Sequence, residues 1–178
     1  MILTPLLFTL VVGQGTQKPP EAKPEDVKSV DAIVASLYDV ISGPANKKRD
    51  WNRMRTLFSP QARMVAIVPT VATEAAQHPM TPEDYITKLG PLIETQGFFE
   101  KEIHRTTDAY GQIAQIFSTY ETRAKADDEK PTSRGINAIQ VWNDGKRWWI
   151  TSVIWQSEDA RTPLPEKYLK GNGALSPK

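Results

Sequence analysis

The stretch "RGINAIQVWNDGKRWWITSVIWQSE", residues 134–158, constrains the fold most, because it holds four of the chain's five tryptophans and alternates like a β-hairpin without leaving either face polar. Successive strand side chains point to opposite faces, so a hairpin with one wetted side shows a polar row. This hairpin needs cover on both sides. Helices or a cavity are expected over one face and a partner over the other. Asp144-Gly145 is the expected turn, since Asp-Gly suits the backbone of a two-residue hairpin loop.

The same alternation begins near Phe98, and strands are expected over 99–109, 112–124, 134–142 and 147–157, joined by Tyr110-Gly111, the loop "KADDEKPTS" and Asp144-Gly145. Upstream the period is helical. Val27, Val30, Val34, Leu37 and Ile41 give one apolar face from Glu25 onward, ended by Ser42-Gly43-Pro44. Asp50 is placed to cap a short helix bearing Trp51, Met54, Leu57 and Phe58, and "ARMVAIV" reads as a strand. Thr81, Pro82, Glu83 and Asp84 then have the composition of a helix start, and Leu92-Ile93 adds a turn after Gly90-Pro91. The class is α+β, with N-terminal helices gathered on one face of an antiparallel sheet. The folded domain is expected over 27–160, after a flexible spacer over 16–26 and before a Pro- and Gly-rich C-terminal tail over 161–178.

The first residues, "MILTPLLFTLVVGQGTQ", are apolar from Ile2 to Val12. A bilayer span needs about 20 such residues. The run instead has the length of a signal-peptide core, with small residues Gly13 and Gly15 placed for cleavage. A signal peptide over 1–15, export to the periplasm or the exterior, and a mature chain without a membrane span are therefore expected. With no cysteine, thiol chemistry and disulfides are excluded. A net charge of +1 with acids and bases interspersed does not suit a nucleic-acid binder.

Counting outward from two-residue turns assigns faces. One face collects Arg105, Ser118, Tyr120, Arg134, Gln140, Trp149, Thr151 and Trp155, with Tyr38 joining from the first helix. These nine are the candidate ligand-binding residues: hydrogen-bonding groups among aromatics, as in a pocket under helices. The other face collects His104, Phe117, Asn137, Ile139, Val141, Trp148, Ile150 and Ile154, an apolar stripe suited to a homodimer contact. Arg105 and Arg134 on an inner face need a carboxylate partner, for which Asp31 and Asp39 are candidates, or an anionic ligand. His78 falls in a loop and His104 on the outer face. Two histidines without cysteine do not suggest a zinc site, phosphate-loop and serine-elbow patterns are missing, and no metal or cofactor is expected.

The strand sequences "AYGQIAQIFSTYETR" and "RGINAIQVWNDGKRWWITSVIWQSE", following a long amphipathic helix, resemble the nuclear transport factor 2-like superfamily, especially its bacterial SnoaL-like branch. The resemblance covers roughly residues 25–160. It implies a cone of strongly curved antiparallel sheet around a helix layer, an apolar pocket inside, and dimerisation through the outer sheet face. It leaves the reaction open, since members include isomerases, dehydratases, cyclases and epoxide hydrolases. The isomerases use an aspartate near the first strand and an acid with a tyrosine as oxyanion donors. Here that strand reads "ARMVAIVPT" without a carboxylate, and Ala138 falls at the donor position. The Asp, Arg, Asp relay of limonene epoxide hydrolase-like members has no counterpart in these strands.

The expected function is an exported small-molecule-binding domain for an apolar ligand with a polar or acidic end. One alternative is a SnoaL-like enzyme of proton transfer, dehydration or cyclisation. The other is a dimeric structural domain with a filled core. An enzyme requires a carboxylate or histidine in the cavity, with Asp31, Asp39 and His104 as the candidates.

Overall fold

A computed structural model describes residues 21–70 and 74–169. The expected signal peptide, residues 16–20 of the spacer and residues 170–178 of the tail lie outside the described residues, and the end of the spacer is helical from Pro24. Where one helix was expected from Glu25 there are two, α1 (Pro24–Val27) and α2 (Val30–Ile41). Ser29 separates them: its backbone is extended and its hydroxyl accepts the amide of Ala32 at 3.0 Å, starting a fresh helix. The buried stripe of α2 is Ile33, Val34, Leu37, Val40 and Ile41. Asp50 caps α3 (Trp51–Leu57) by accepting from Arg53 N, and the Arg53 guanidinium ties α3 back to Asp26 and Asp39.

The loop "ANKKR" is charged, yet its last residue is buried. Arg49 donates to the carbonyls of Ile41, Gly43 and Ile93, and so satisfies the open C-terminal ends of α2 and of α5 (Gly90–Gln96). Before α5, α4 (Pro82–Lys88) starts on a reciprocal capping box between Thr81 and Asp84.

Six strands form one sheet in the order β2-β1-β6-β5-β4-β3, where β1 is Phe58–Pro69, β2 Ala75–Met80, β3 Phe99–Tyr110, β4 Ile113–Arg123, β5 Ser133–Asn143 and β6 Trp148–Ser157. Two features differ from expectation. The sheet is mixed rather than wholly antiparallel, since β1 runs parallel to β6, with Met64 beside Val153 and Ala66 beside Trp155. Parallel neighbours need a long crossover, which everything between β1 and β6 supplies. His78 lies in β2 rather than a loop, opposite Ala66. With Ala, Gln and Pro in "AAQHPM" there is little β propensity to read, and Pro79 is tolerated because β2 is an edge strand.

Register explains the remaining corrections. The last hairpin turns through four residues, with Asn143 opposite Trp148. Further along, Val141 pairs with Ile150 but Gln140 with Ser152, so Thr151 is a surplus residue and inverts the facing of β6 beyond it. Across the long loop Tyr120 pairs with Gly135, an odd displacement from the expected Ala138, which inverts β5 as a whole. Asn137, Ile139 and Val141 therefore turn inward and are buried, while Arg134, Ile136, Ala138 and Gln140 turn outward. Trp148 and Ile150 join the inner face as well. Two inversions cancel at Val153 and Trp155, which face inward as expected.

Candidate functional site

Between the inner sheet face and the helices lies a cavity of about 290 Å³. Ligand pockets run from about 300 to 1,000 Å³, so this one suits a compact molecule. Its walls are mostly apolar: Leu37 and Ile41 from α2, Tyr85 from α4, Phe98, and Val153 and Trp155 from β6. Tyr85 and Trp155 meet edge to face, ring centroids 6.5 Å apart.

One ionisable acid enters this wall, Glu100 of β3. It arrives there through a second bulge. Glu102 pairs with Tyr120 but His104 with Thr119, leaving Ile103 surplus. Strict alternation from Arg105 sends Glu100 and Glu102 outward; the bulge brings both inward on the same face as Arg105. The stretch "FFEKEIHR" has polar residues in both phases and so offers no apolar row from which the inward set is legible. The paired glutamates two residues apart were the available signal.

Glu100 Oε1 accepts from Asn137 Nδ2 at 3.0 Å, and Oε2 has no hydrogen-bond partner among the described residues. The lining of the cavity contains no lysine, arginine or histidine among the described residues. Burial in these apolar surroundings disfavours the carboxylate and pushes Glu100 up to about 7, with the Asn137 hydrogen bond opposing only in part. Burial also raises the Tyr38 and Tyr85 phenols above their ordinary range, with the nearby Glu100 adding to it, and Tyr120 to about 12. All three stay protonated at neutral pH.

Behind Glu100 a line of donors runs away from the cavity. Asn137 Nδ2 lies 3.0 Å from Tyr38 Oη, Tyr38 Oη lies 2.7 Å from Ser118 Oγ, and Ser118 donates to Glu102. Arg105 closes the line, binding Glu102 at 2.8 Å and Asp31 at 2.6 Å. If each hydroxyl donates onward to Glu102, Tyr38 accepts from Asn137 and has no proton left for a ligand. Its part is then to hold Asn137, and through it Glu100.

The nine candidate residues thus divide. Tyr120 and Trp155 line the cavity, and Tyr38, Ser118 and Arg105 stand behind it in the polar line. The other four lie elsewhere. Arg134 pairs with Glu158 at 2.6 Å, and Gln140 binds Ser152. Trp149 donates to Asp144 beneath the Arg147 guanidinium, and the bulged Thr151 donates to the Gln140 carbonyl. The β5 inversion and the Thr151 bulge account for all four. Asp31 pairs with Arg105, one of the expected partnerships, whereas Asp39 pairs with Arg53. His104 is buried on the outer face, beside Thr119. None of Asp31, Asp39 and His104 lines the cavity; Glu100, not considered from the sequence, takes their place.

The outer face is partly covered by the chain itself, where Tyr168 lies against Phe117 with ring centroids 5.2 Å apart. Ile113, Trp142 and Ile154 remain exposed on it. No group of three or more metal-ligating side chains occurs among the described residues, and no helix among them is long and apolar enough to cross a membrane.

A six-stranded sheet packed on helices over an inner pocket is the nuclear transport factor 2-like fold, and a solved structure described as nuclear transport factor 2-like matches this chain. A nuclear transport factor 2-like protein of unknown function from Pseudomonas putida is 15% identical, with a TM-score of 0.53 over 83% of this chain and 94% of its own. A protein of unknown function with a cystatin-like fold from Nostoc punctiforme gives 0.54 at 10% identity, over 74% of this chain and 90% of its own. A scytalone dehydratase-like protein from Novosphingobium aromaticivorans gives 0.51 at 11% identity, over 74% and 83%. No family model and no curated protein sequence matches. At such identities the likeness establishes the fold and leaves the activity to the site.

Proposed function

We propose that this protein binds a compact, largely apolar small molecule in the inner cavity and engages its polar end at Glu100. The observation that carries this reading is a carboxyl, held on one oxygen by Asn137, in the wall of a mostly apolar 290 Å³ space whose lining offers it no cation. An acidic ligand end loses its motive here, because Arg105 and Arg134 are engaged by carboxylates. The reading extends to export by residues 1–15 and to pairing of two copies across the exposed apolar residues of the outer face.

Native mass spectrometry of the chain from Thr16, purified from the exported fraction, tests these together. The expected spectrum is a dimer carrying a small molecule that is lost on denaturation and that is absent from Val153→Phe, which fills the cavity. A carried molecule unaffected by Val153→Phe removes the cavity as its site, and a monomer at all concentrations removes the pairing.

Proton transfer is the second reading, favoured by the midpoint of Glu100 near neutrality. A group of that pKa gives up and takes back a proton at pH 7 with little bias, as a general base requires. Deuterium should then enter beside the carbonyl of cyclohexanone in heavy water, faster than in buffer, and Glu100→Gln should abolish the excess. Incorporation at the buffer rate leaves binding alone.

A further inference from the structure

Resting on the binding reading, we infer that the ligand is a protonated amine with an apolar body, held by the Glu100 carboxylate against the aromatic wall. Three independent features of the cavity converge on this class. The acid that enters it meets no cation in the cavity lining, and its one protein hydrogen bond comes from the neutral amide of Asn137. The surrounding wall carries Tyr85, Phe98, Tyr120 and Trp155, ring faces that attract a cation electrostatically. The cation that shares its face of β3, Arg105, is held at the far end of the polar line by Glu102 and Asp31.

An ammonium supplies the positive charge that the lining lacks, and in a partly buried setting the pair is stronger than in open water. A carboxylate ligand meets repulsion from Glu100, offset only by neutral donors such as the Tyr85 hydroxyl. A neutral alcohol hydrogen-bonds to Glu100 but gains no charge pairing.

The groups facing Glu100 allow its ionisation to be followed cleanly. They are Tyr38 from α2, Tyr85 from α4, Tyr120 from β4 and Glu102 on β3, while α5 contributes Leu92 and Ile93, β1 Met64, and β6 Val153, Trp155 and Ser157. Glu100 also lines a neighbouring pocket with Asp39, Lys101, Arg105 and Arg123, residue types that do not ordinarily change charge between about pH 6 and 9. The tyrosines do not titrate below pH 9. An amine that draws the carboxylate out must therefore release a proton from Glu100, about half a proton per site at pH 7 and progressively less above it.

The test uses three molecules of one shape, cyclohexylmethylamine, cyclohexylmethanol and cyclohexanecarboxylate, titrated by calorimetry in two buffers of different ionisation enthalpy. At pH 8 the amine is expected to bind at least tenfold tighter than the alcohol, the carboxylate weakest, and the two-buffer comparison at pH 7 should show proton release. Glu100→Gln should bring amine and alcohol within threefold of each other. The wild-type series stands without that variant, so a failure of the variant to fold leaves the inference exposed to disproof. Alcohol binding as tightly as amine at pH 8, or an amine preference that survives Glu100→Gln, overturns the inference and leaves the pocket. No binding by any of the three, together with no carried molecule in the native spectrum, overturns the pocket reading and this inference with it.

Discussion

Glu100→Gln is expected to make the protein more stable than the wild type by about 3 kcal/mol at pH 8, and to leave it unchanged at pH 4. In the unfolded chain Glu100 ionises near 4.5, and in the folded one near 7, because burial disfavours its charge and the Asn137 hydrogen bond offsets only part of that. Below pH 4.5 both states hold the proton and the site is neutral to stability. Between 4.5 and 7 the unfolded chain gives up its proton while the folded one keeps it, so wild-type stability falls as pH rises. Above 7 both are ionised and the folded state bears the whole cost of a charge kept out of water. Glutamine cannot ionise but still accepts from Asn137, so its stability is flat across the window. Urea denaturation of both proteins at half-unit steps from pH 4 to 8.5 reads this directly. Parallel stability curves would show that Glu100 is solvated and would remove the basis for both functional readings.

A single methyl group added at Gly135 should cost about 3 kcal/mol, the upper part of the usual range for overpacking. Gly135 lies on β5 between Tyr120 and Ser157, and a Cβ there would sit 2.3 Å from the carbonyl oxygen of Gln156 and 2.5 Å from the hydroxyl of Tyr120. The tyrosine tip can swing away, but the carbonyl belongs to the neighbouring strand and moves only with it. The swing also breaks the 3.0 Å contact between Tyr120 and Ser157 and drives the ring into the cavity. Gly135→Ala should therefore lose both stability and ligand. Adding Tyr120→Phe should restore little, because the carbonyl clash remains. Thermal denaturation of the single and double variants checks this order, and an unchanged midpoint for Gly135→Ala would show that β5 and β6 separate at no cost.

Much of the fold was legible. The four long strands, the caps at Asp50 and Thr81, and the helix-on-sheet class all rest on local patterns of period two or 3.6. The site was legible only in part, because which way a side chain faces depends on counts carried across turns. Tyr120 and Trp155 reached the cavity wall in the sequence reading; Arg134, Gln140, Trp149 and Thr151 did not belong with them. A surplus residue such as Thr151 or Ile103 leaves no mark in composition, yet it inverts everything beyond it. Glu100 was missed for that reason, and Asn137 because the odd displacement across the long loop inverts β5. The strands that carry them are polar or apolar on both faces, so no alternation was available to correct the count.

The parallel seam between β1 and β6 orders the assembly of the molecule in time. Met64 and Ala66 find their sheet partners in Val153 and Trp155, so a strand made early waits for the last strand of the chain. The hairpins from β3 to β6 close over short separations and can form among themselves, whereas this seam joins distant parts and carries the larger loop-closure entropy. The cavity has walls from both sides of the seam. Until it closes, the chain has a meander and a helix layer but no interior to bind with, and recognition begins only with the final step of folding.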